Sequence, residues 1–152
     1  MNSPRSSALP RGLADAPTPS ASSPVIPGAA VVVACRSMRR VTPHTPISLT
    51  DLREMSAARF GDLVKAVVDL ERGVMVIDAE MHSDEEAELL SDGSRQQDLW
   101  GINLYPDLPE QDWLEFDSMI NLRPSLGNRS RSVDDPATRG RISEIVRSLV
   151  QR

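Results

Sequence analysis

Three groups of residues in this chain carry side chains that could do chemistry. The first group is Asp78, Glu80 and His82, which alternate directly after an apolar run. If one strand continues through them, these side chains share a sheet face with Asp69. Such a cluster could hold a hard divalent cation or pair a carboxylate with an imidazole for acid–base catalysis. We favour a solvated strand face neutralised in part by Lys65, because charged outward positions are usual on a one-sided sheet.

The second group lies on two later segments that also alternate. Amides, a phenol, a carboxylate and a guanidinium would converge there on the polar side of the same sheet. Such groups suit the recognition of a planar or phosphorylated ligand, and they also occur as an ordinary polar network on an exposed sheet. The sequence leaves both alternatives open. The residues are Asn103, Tyr105, Asp117, Asn121 and Arg123.

The third group is a basic, turn-rich loop that contains Arg123, Arg129 and Arg131. Its backbone amides, hydroxyls and guanidinium groups could hold an anion near the start of a helix. Asp134 and Asp135 follow directly and can supply that negative charge locally. We therefore favour a structural loop over an anion site, because capping carboxylates already satisfy the helix start.

A β-hairpin over residues 64–82 is the element that would position the first group. Two alternating segments flank Arg72-Gly73, and a two-residue turn there places apolar pairs on one face and charged residues such as Lys65 and Glu80 on the other. A three-residue loop with a bulge at Gly73 would shift the partners but keep both faces. The predicted apolar pairs are Leu70 with Met75, Val68 with Ile77, Ala66 with Ala79 and Val64 with Met81.

Three helices are predicted from their capping residues. The first begins at Ser48, and the second begins with a capping box formed by Ser83 and Glu86. The third begins with Asp135 as the cap and Pro136 in the first turn. Glycines are expected to end the first two helices, at Gly61 and Gly93.

Two further strands, over residues 99–105 and 113–123, complete the predicted sheet because their apolar residues alternate. All four strands can share one antiparallel sheet, with the three helices on its apolar face and with its polar face open. The sequence therefore predicts an α+β two-layer sandwich with the element order αββαββα.

Three blocks of the chain, residues 59–69, 98–106 and 115–131, resemble a small bacterial family known only as a domain of unknown function. The resemblance covers roughly residues 46–151. It implies a compact prokaryotic domain. The family brings no established activity, cofactor or catalytic residue that could be carried over to this chain.

The N-terminal part of the chain differs in composition from the rest. Eight of the 12 prolines fall in the first 46 residues, so this segment buries too little apolar surface to offset the entropy of ordering. We expect residues 1–45 to be a disordered Pro/Ser/Ala-rich tail and residues 46–152 to form one domain, with translation from Met38 as an alternative start. The domain carries 12 basic against 21 acidic residues, which argues against general nucleic-acid binding.

An apolar run at residues 25–35 is too short to span a bilayer, which requires about 20 residues. It ends at Cys35 in a sequence that resembles a lipoprotein cleavage site only superficially. We therefore expect a cytoplasmic protein without a membrane anchor. His82 cannot form a zinc site alone, since the other histidine, His44, lies in the tail. No cofactor is expected, and a divalent cation is the alternative.

Two functions are compatible with these patterns, and the sequence does not decide whether the protein is an enzyme. We favour a small intracellular module that binds a protein partner or a small anionic ligand through its polar sheet face and Arg-rich loop. The alternative is a small divalent-metal-dependent hydrolase or nuclease, with metal at Asp78 and Glu80 and with His82, Asp69 and Asp117 as catalytic candidates. The oligomeric state stays open. The ligand-binding candidates are Asn103, Tyr105, Asn121, Arg123, Arg129 and Arg131.

Overall fold

This computed structural model describes residues 38–152 of the chain, which form short β-strands and three α-helices. The predictions about the tail in residues 1–37, including the one at Cys35, lie outside the described residues. The elements are β1 (Arg39–Val41), β2 (Ile47–Ser48), α1 (Leu49–Arg59), β3 (Val64–Asp69), β4 (Val74–Ile77), α2 (His82–Ser91), β5 (Leu99–Leu104), β6 (Leu114–Glu115), α3 (Pro136–Leu149) and β7 (Val150–Gln151), with single 3₁₀ turns at Gln96–Asp98, Met119–Asn121 and Pro124–Leu126.

The main sheet has five strands in the order β1-β4-β3-β5-β6, and every neighbouring pair is antiparallel. A separate parallel pair joins β2 to β7. The predicted α+β class is confirmed, whereas the predicted four-stranded sheet and element order differ from the structure. The additional edge strand β1, residues 39–41, pairs with β4.

One face of the main sheet packs against α1 and α3 and forms the larger hydrophobic core. Leu52 of α1 and Ile142, Val146 and Leu149 of α3 are fully buried there. Their spacing of three or four residues places them on one side of each helix. The sheet side chains in this core are Val41, Val64, Ala66, Val68, Met75, Ile77, Ile102 and Leu104.

The opposite face of the sheet is covered by α2. Leu89 of α2 packs there against a second buried cluster that includes Val67 and Leu99. The prediction of three helices on one face, with the other face open, is therefore wrong: the sheet lies between two helical layers. The sequence held a signal for this arrangement, because residues 66–68 and 74–77 are continuous apolar runs, which are typical of strands buried on both faces.

The hairpin turn is longer than predicted. Residues 70–73 connect β3 to β4, so Val68 pairs with Met75 rather than with Ile77. The turn is closed by Asp69, whose Oδ1 accepts hydrogen bonds of 2.9 Å and 3.0 Å from two backbone amides of the turn. The register shifts by two residues, and each face therefore keeps the side chains predicted for it.

Strand β4 is shorter than predicted and does not continue through Glu80 and His82. Asp78 has a φ of 73°, in the left-handed region, and turns the chain out of the sheet. Helix α2 then begins at His82, with Met81 as its N-cap and without a capping side chain. The predicted capping box at Ser83 does not form, because the helix starts two residues too early for it.

Only Leu114–Glu115 of the predicted strand over residues 113–123 pairs with β5. Further along this segment, the side chain of Asn121 makes the hydrogen bonds to β5 that the backbone of a paired strand would make. Its Oδ1 accepts from the amide of Gly101 at 2.8 Å, and its Nδ2 donates to the carbonyl of Gly101 at 2.9 Å. Ser118 packs against the same glycine, which is possible because Gly101 has no side chain.

The capped starts of the first and last helices are confirmed. Ser48 Oγ accepts from the amide of Asp51 at 3.0 Å, and Asp135 Oδ2 accepts from the amide of Thr138 at 3.0 Å, with Pro136 in the first turn. These contacts satisfy amides that have no partner within the helix. Within residues 38–152, no helix combines the length and the apolar character that crossing a membrane requires.

Two glycine substitutions should change stability in opposite directions. A Cβ at Gly101 would lie 2.6 Å from Cβ and Oγ of Ser118, so we expect Gly101→Ala to lower the free energy of unfolding by about 1–3 kcal/mol. Gly140 lies inside α3 with no atom within 4 Å of its added Cβ, so Gly140→Ala should raise it by about 0.5–1 kcal/mol. Urea denaturation measures both, and a stabilised Gly101→Ala variant would contradict the close packing at Ser118.

Candidate functional site

A pocket of about 350 Å³ opens where the first turn of α2 meets the sheet and the loops after β6. We call it the basic pocket. Its polar residues come from β3, α2, β5 and both ends of the irregular segment that precedes α3. They are Lys65, His82, Ser83, Asn103, Asp117, Ser118 and Arg131. Its walls are largely apolar, formed by Phe60, Leu63, Met81, Met119 and Ile120.

The basic pocket joins residues from all three groups that the sequence singled out. His82 belongs to the first group, Asn103 and Asp117 to the second, and Arg131 to the third. These groups were predicted to lie on one open sheet face or on a separate loop. They meet instead at the border of the helix that covers that face.

Lys65 is the cation of this pocket that carries no salt bridge. Its Nζ lies 5.4 Å from the centroid of the Phe60 ring, a cation–π contact, and it forms no ion pair within residues 38–152. Sequence reasoning gave Lys65 only the role of neutralising neighbouring carboxylates. A signal was present, because Lys65 is the only lysine among the 17 basic residues of the chain.

His82 is buried at the start of α2 and is neutral at pH 7. Its Nε2 lies 2.8 Å from the carbonyl oxygen of Ile102. Since a carbonyl only accepts hydrogen bonds, Nε2 carries the proton and Nδ1 is the unprotonated nitrogen. Burial lowers the pKa of His82 below its ordinary value of 6.5, against the raising effect of the Ile102 hydrogen bond, and the charge of Lys65 lowers it further.

Asn103 presents a carbonyl oxygen without a partner. Its Nδ2 donates to Glu115 Oε2 at 2.8 Å. Its Oδ1 is buried without a hydrogen bond of ordinary geometry within the described residues, and the Asn103 side chain contacts His82, whose pKa it raises. Tyr105 donates its hydroxyl to the same Glu115 oxygen at 3.0 Å, and burial, followed by this contact, raises the pKa of Tyr105 to about 12. Tyr105 therefore positions the Glu115 carboxylate, which in turn orients Asn103. Tyr105 itself does not line the pocket.

Asp117 and Arg131 neutralise each other at the mouth of the pocket. Arg131 Nε lies 2.9 Å from Asp117 Oδ1, and about half of each side chain is exposed to solvent. With this pair balanced and His82 neutral, Lys65 leaves the basic pocket with one net positive charge. An excess of positive charge in an otherwise acidic chain favours an anionic ligand.

The proposed metal ligands lie elsewhere and have other partners. Asp78 is buried and pairs with Arg59 at 3.2 Å, while the side chain of Glu80 is 78% exposed. Asp69 closes the hairpin turn and also accepts a hydrogen bond from Ser94. Within residues 38–152, no three His, Cys, Asp or Glu side chains are grouped so that they could hold a metal ion.

The hydrogen-bond donors of the Arg-rich loop are bound by the carboxylate of Asp134, which follows in the same segment. Asp134 Oδ2 accepts from the backbone amide of Arg129 at 2.8 Å, and Asp134 Oδ1 accepts from Ser130 Oγ at 2.5 Å. The hydrogen bond from Ser130, first among several, holds the pKa of Asp134 below its ordinary value. Arg129 does not line the basic pocket, so only Arg131 of this loop reaches it.

Asn121 and Arg123 hydrogen-bond to backbone carbonyls and do not line the basic pocket. Beyond its contacts with Gly101, Asn121 donates to the carbonyl of Arg131 at 3.0 Å. Arg123 donates Nε to the carbonyl of Ile120 at 2.8 Å and Nη2 to the carbonyl of Leu99, and its guanidinium lies 5.0 Å from the ring centroid of Trp100. Burial lowers the pKa of Arg123, against the raising effect of Glu86.

Glu85 is a buried carboxyl group that sequence reasoning missed. It lies on the sheet side of α2 with no exposed surface, and its Oε1 accepts from the amide of Ala79 at 3.0 Å. Its Oε2 has no hydrogen-bond partner in the described part of the chain. Burial raises the pKa of Glu85 well above its ordinary value, although the charge of Lys65 acts in the opposite direction.

Comparison with known families identifies the chain. The profile of a family described as "Protein of unknown function (DUF5674)" matches residues 42–149. The chain belongs to this DUF5674 family. The resemblance predicted from three sequence blocks is thereby confirmed, and the match covers both helical layers and every residue of the basic pocket. No curated protein and no solved structure matches the DUF5674 chain.

The buried Glu85 should make stability fall as pH rises. Because its folded-state pKa lies above the ordinary 4.5, the folded state binds the proton more tightly, and stability decreases above about pH 4.5. Glu85→Gln should remove this dependence and exceed the wild type by roughly 1–3 kcal/mol at alkaline pH, while matching it in acid. Denaturation as a function of pH tests this expectation.

The matched control for that measurement is Glu80→Gln, because the Glu80 side chain is 78% exposed. This variant should change stability by less than about 0.5 kcal/mol. If Glu85→Gln retained the wild-type pH dependence, the buried carboxyl would not be the titrating group.

Proposed function

We propose that this DUF5674 domain binds a small organic anion in the basic pocket. The observation that carries the proposal is the ammonium of Lys65, which lies without a salt bridge in a pocket beside the buried groups of His82 and Asn103. A buried or half-buried cation gains more from an anionic ligand than an exposed one, since water screens it less.

The N-terminus of α2 supports the same ligand charge. Met81, His82 and Ser83 form part of the pocket wall, and no side chain caps this end of the helix. Free amides and the helix dipole favour a negative group at this position. Lys65 and the uncapped helix end, which both line the pocket, therefore both favour an anion there.

The walls and the volume define the rest of the ligand. A volume of about 350 Å³ lies near the lower end of the range for small-molecule sites, roughly 300–1,000 Å³. Phe60, Met81 and Met119 offer apolar surface to the part of the ligand that carries no charge. Asn103 Oδ1 adds an acceptor for a ligand N–H or O–H group. A short aliphatic or aromatic carboxylate or phosphate fits this combination.

This proposal keeps the anion-binding part of the function favoured from the sequence but moves its location. The sheet face expected to be open lies beneath α2, and the Arg-rich loop is occupied by Asp134. The hydrolase alternative required Asp69 and Glu80 beside His82, and neither lines the basic pocket.

Removing the charge of Lys65 should weaken anion binding. We expect hexanoate to bind the wild type and Lys65→Met to lose at least about tenfold in affinity, because a charge-assisted hydrogen bond contributes roughly 1.5–3 kcal/mol. Isothermal titration calorimetry measures both. Hexanamide, which has the same apolar chain without the charge, should bind weakly to both proteins.

Arg147→Gln is the control for a general charge effect, because Arg147 is 60% exposed on α3 and pairs with Glu110. Its affinity for hexanoate should equal that of the wild type. Equal binding of hexanoate and hexanamide, or an unchanged affinity in Lys65→Met, would exclude the basic pocket as an anion site.

Protonation of His82 should strengthen anion binding in mild acid. His82 loses its proton below the ordinary value of 6.5 in the free protein, and a bound anion would favour the charged imidazolium. Hexanoate affinity should therefore rise as the pH falls from about 8 toward about 5.5. In His82→Gln this rise should disappear, and calorimetry over that range decides the matter.

A further inference from the structure

A second cavity of about 620 Å³ lies directly beside the basic pocket. We call it the groove. The two cavities share Met119 and Ile120 in their walls, so the groove continues the surface of the basic pocket. Its remaining walls are Glu86, Gln96, Gln97, Leu122, Arg123, Pro124, Ser125 and Leu126.

The exposed apolar side chains of the domain are concentrated along these two cavities. Seven large apolar residues in the described part of the chain are exposed, and five of them line the basic pocket or the groove. A contiguous exposed apolar surface of this kind marks an interaction site. The five residues are Phe60, Met81, Met119, Leu122 and Leu126.

The floor of the groove holds an ion pair that is not fully hydrogen-bonded. Arg123 Nη2 and Glu86 Oε2 are 3.8 Å apart, and their side chains are only 9% and 14% exposed. Arg123 Nη1 and Glu86 Oε2 are both buried without a hydrogen-bond partner in residues 38–152. Both atoms lie beneath the surface of the groove, so this ion pair keeps one unused donor and one unused acceptor, the two complements of a peptide group.

We propose that the anion of the basic pocket is the terminal carboxylate of an extended peptide whose preceding residues lie in the groove. This inference rests on the proposed function. The carboxylate pairs with Lys65, apolar side chains of the peptide cover Met119 and Leu126, and a peptide group meets Arg123 and Glu86. Capture of a terminal carboxylate is a recurrent mode of peptide recognition.

A peptide explains features that a small anion leaves without a role. A ligand confined to the basic pocket would leave Leu122 and Leu126 exposed and the atoms of the Arg123–Glu86 pair without partners. An extended chain advances about 3.3 Å per residue, so a tetrapeptide spans about 13 Å, whereas a single amino acid cannot extend from the basic pocket along the groove. The acidic character of the domain as a whole favours a partner with few acidic side chains besides its terminal carboxylate.

Three probes separate the peptide from a small anion. They are acetyl-Ala-Leu-Ala-Leu with a free terminal carboxylate, the same tetrapeptide as its terminal amide, and acetyl-leucine. Calorimetry should show that the free-acid tetrapeptide binds at least about tenfold more tightly than either of the others. The Lys65→Met variant should lose that advantage over the amide.

Leu126→Ser and Leu108→Ser form a matched pair of variants for the groove. Leu126 is 57% exposed in the groove, whereas Leu108 is 43% exposed outside both cavities. We expect Leu126→Ser to weaken the tetrapeptide at least about fivefold and to leave acetyl-leucine unchanged, because only the longer ligand reaches the groove. Leu108→Ser should alter neither.

The outcomes distinguish this inference from the proposed function. If acetyl-leucine binds through Lys65 and the tetrapeptide binds no more tightly, the pocket takes a small anion and the inference is wrong. If none of the carboxylates binds, both are wrong. A dimer in sedimentation that Leu126→Ser converts to a monomer would assign the groove to a second copy of the chain and overturn the peptide.

Discussion

The β3–β4 hairpin is buried on both faces, and the remaining structure depends on this constraint. Helices α1 and α3 cover one face, and α2 covers the other. Because α2 lies against the sheet, His82 and Glu85 are withdrawn from water. Burial therefore lowers the pKa of His82 and raises the pKa of Glu85, and both shifts favour the neutral side chain. The basic pocket lies where this coverage begins, at the first turn of α2.

Side-chain amides replace strand pairing on the other side of the pocket. Asn121 satisfies the backbone of Gly101, and Asn128 Nδ2 donates to the carbonyls of Asn121 at 2.6 Å and Ser132 at 2.7 Å. These bonds satisfy buried polar groups that a regular strand would otherwise pair. They also fix the segment that carries Met119 and Arg131, so the outer wall of both cavities depends on two asparagines.

Sequence patterns predicted the elements whose information is local. The caps at Ser48 and Asp135 involve residues three apart, and the alternation in β3 and β4 sorts side chains by face even though the turn length was wrong. The covering of the second face is a tertiary effect, which the unbroken apolar runs indicated only in retrospect. Asn121 gave no local signal, because its partner Gly101 lies 20 residues away. The three candidate groups likewise meet in the basic pocket through contacts between distant parts of the chain, which local sequence patterns do not predict.

The solitary lysine also makes this cavity chemically unique within the protein. Every other basic side chain except histidine is a guanidinium, so apart from the N-terminal amine the chain offers acylating and carbonyl reagents a single amino group. Acylation at that position would remove the charge and add bulk in the same place. The side-chain amine reactivity of the DUF5674 domain is thus confined to one wall of the cavity, where a covalent label on this lysine would report occupancy.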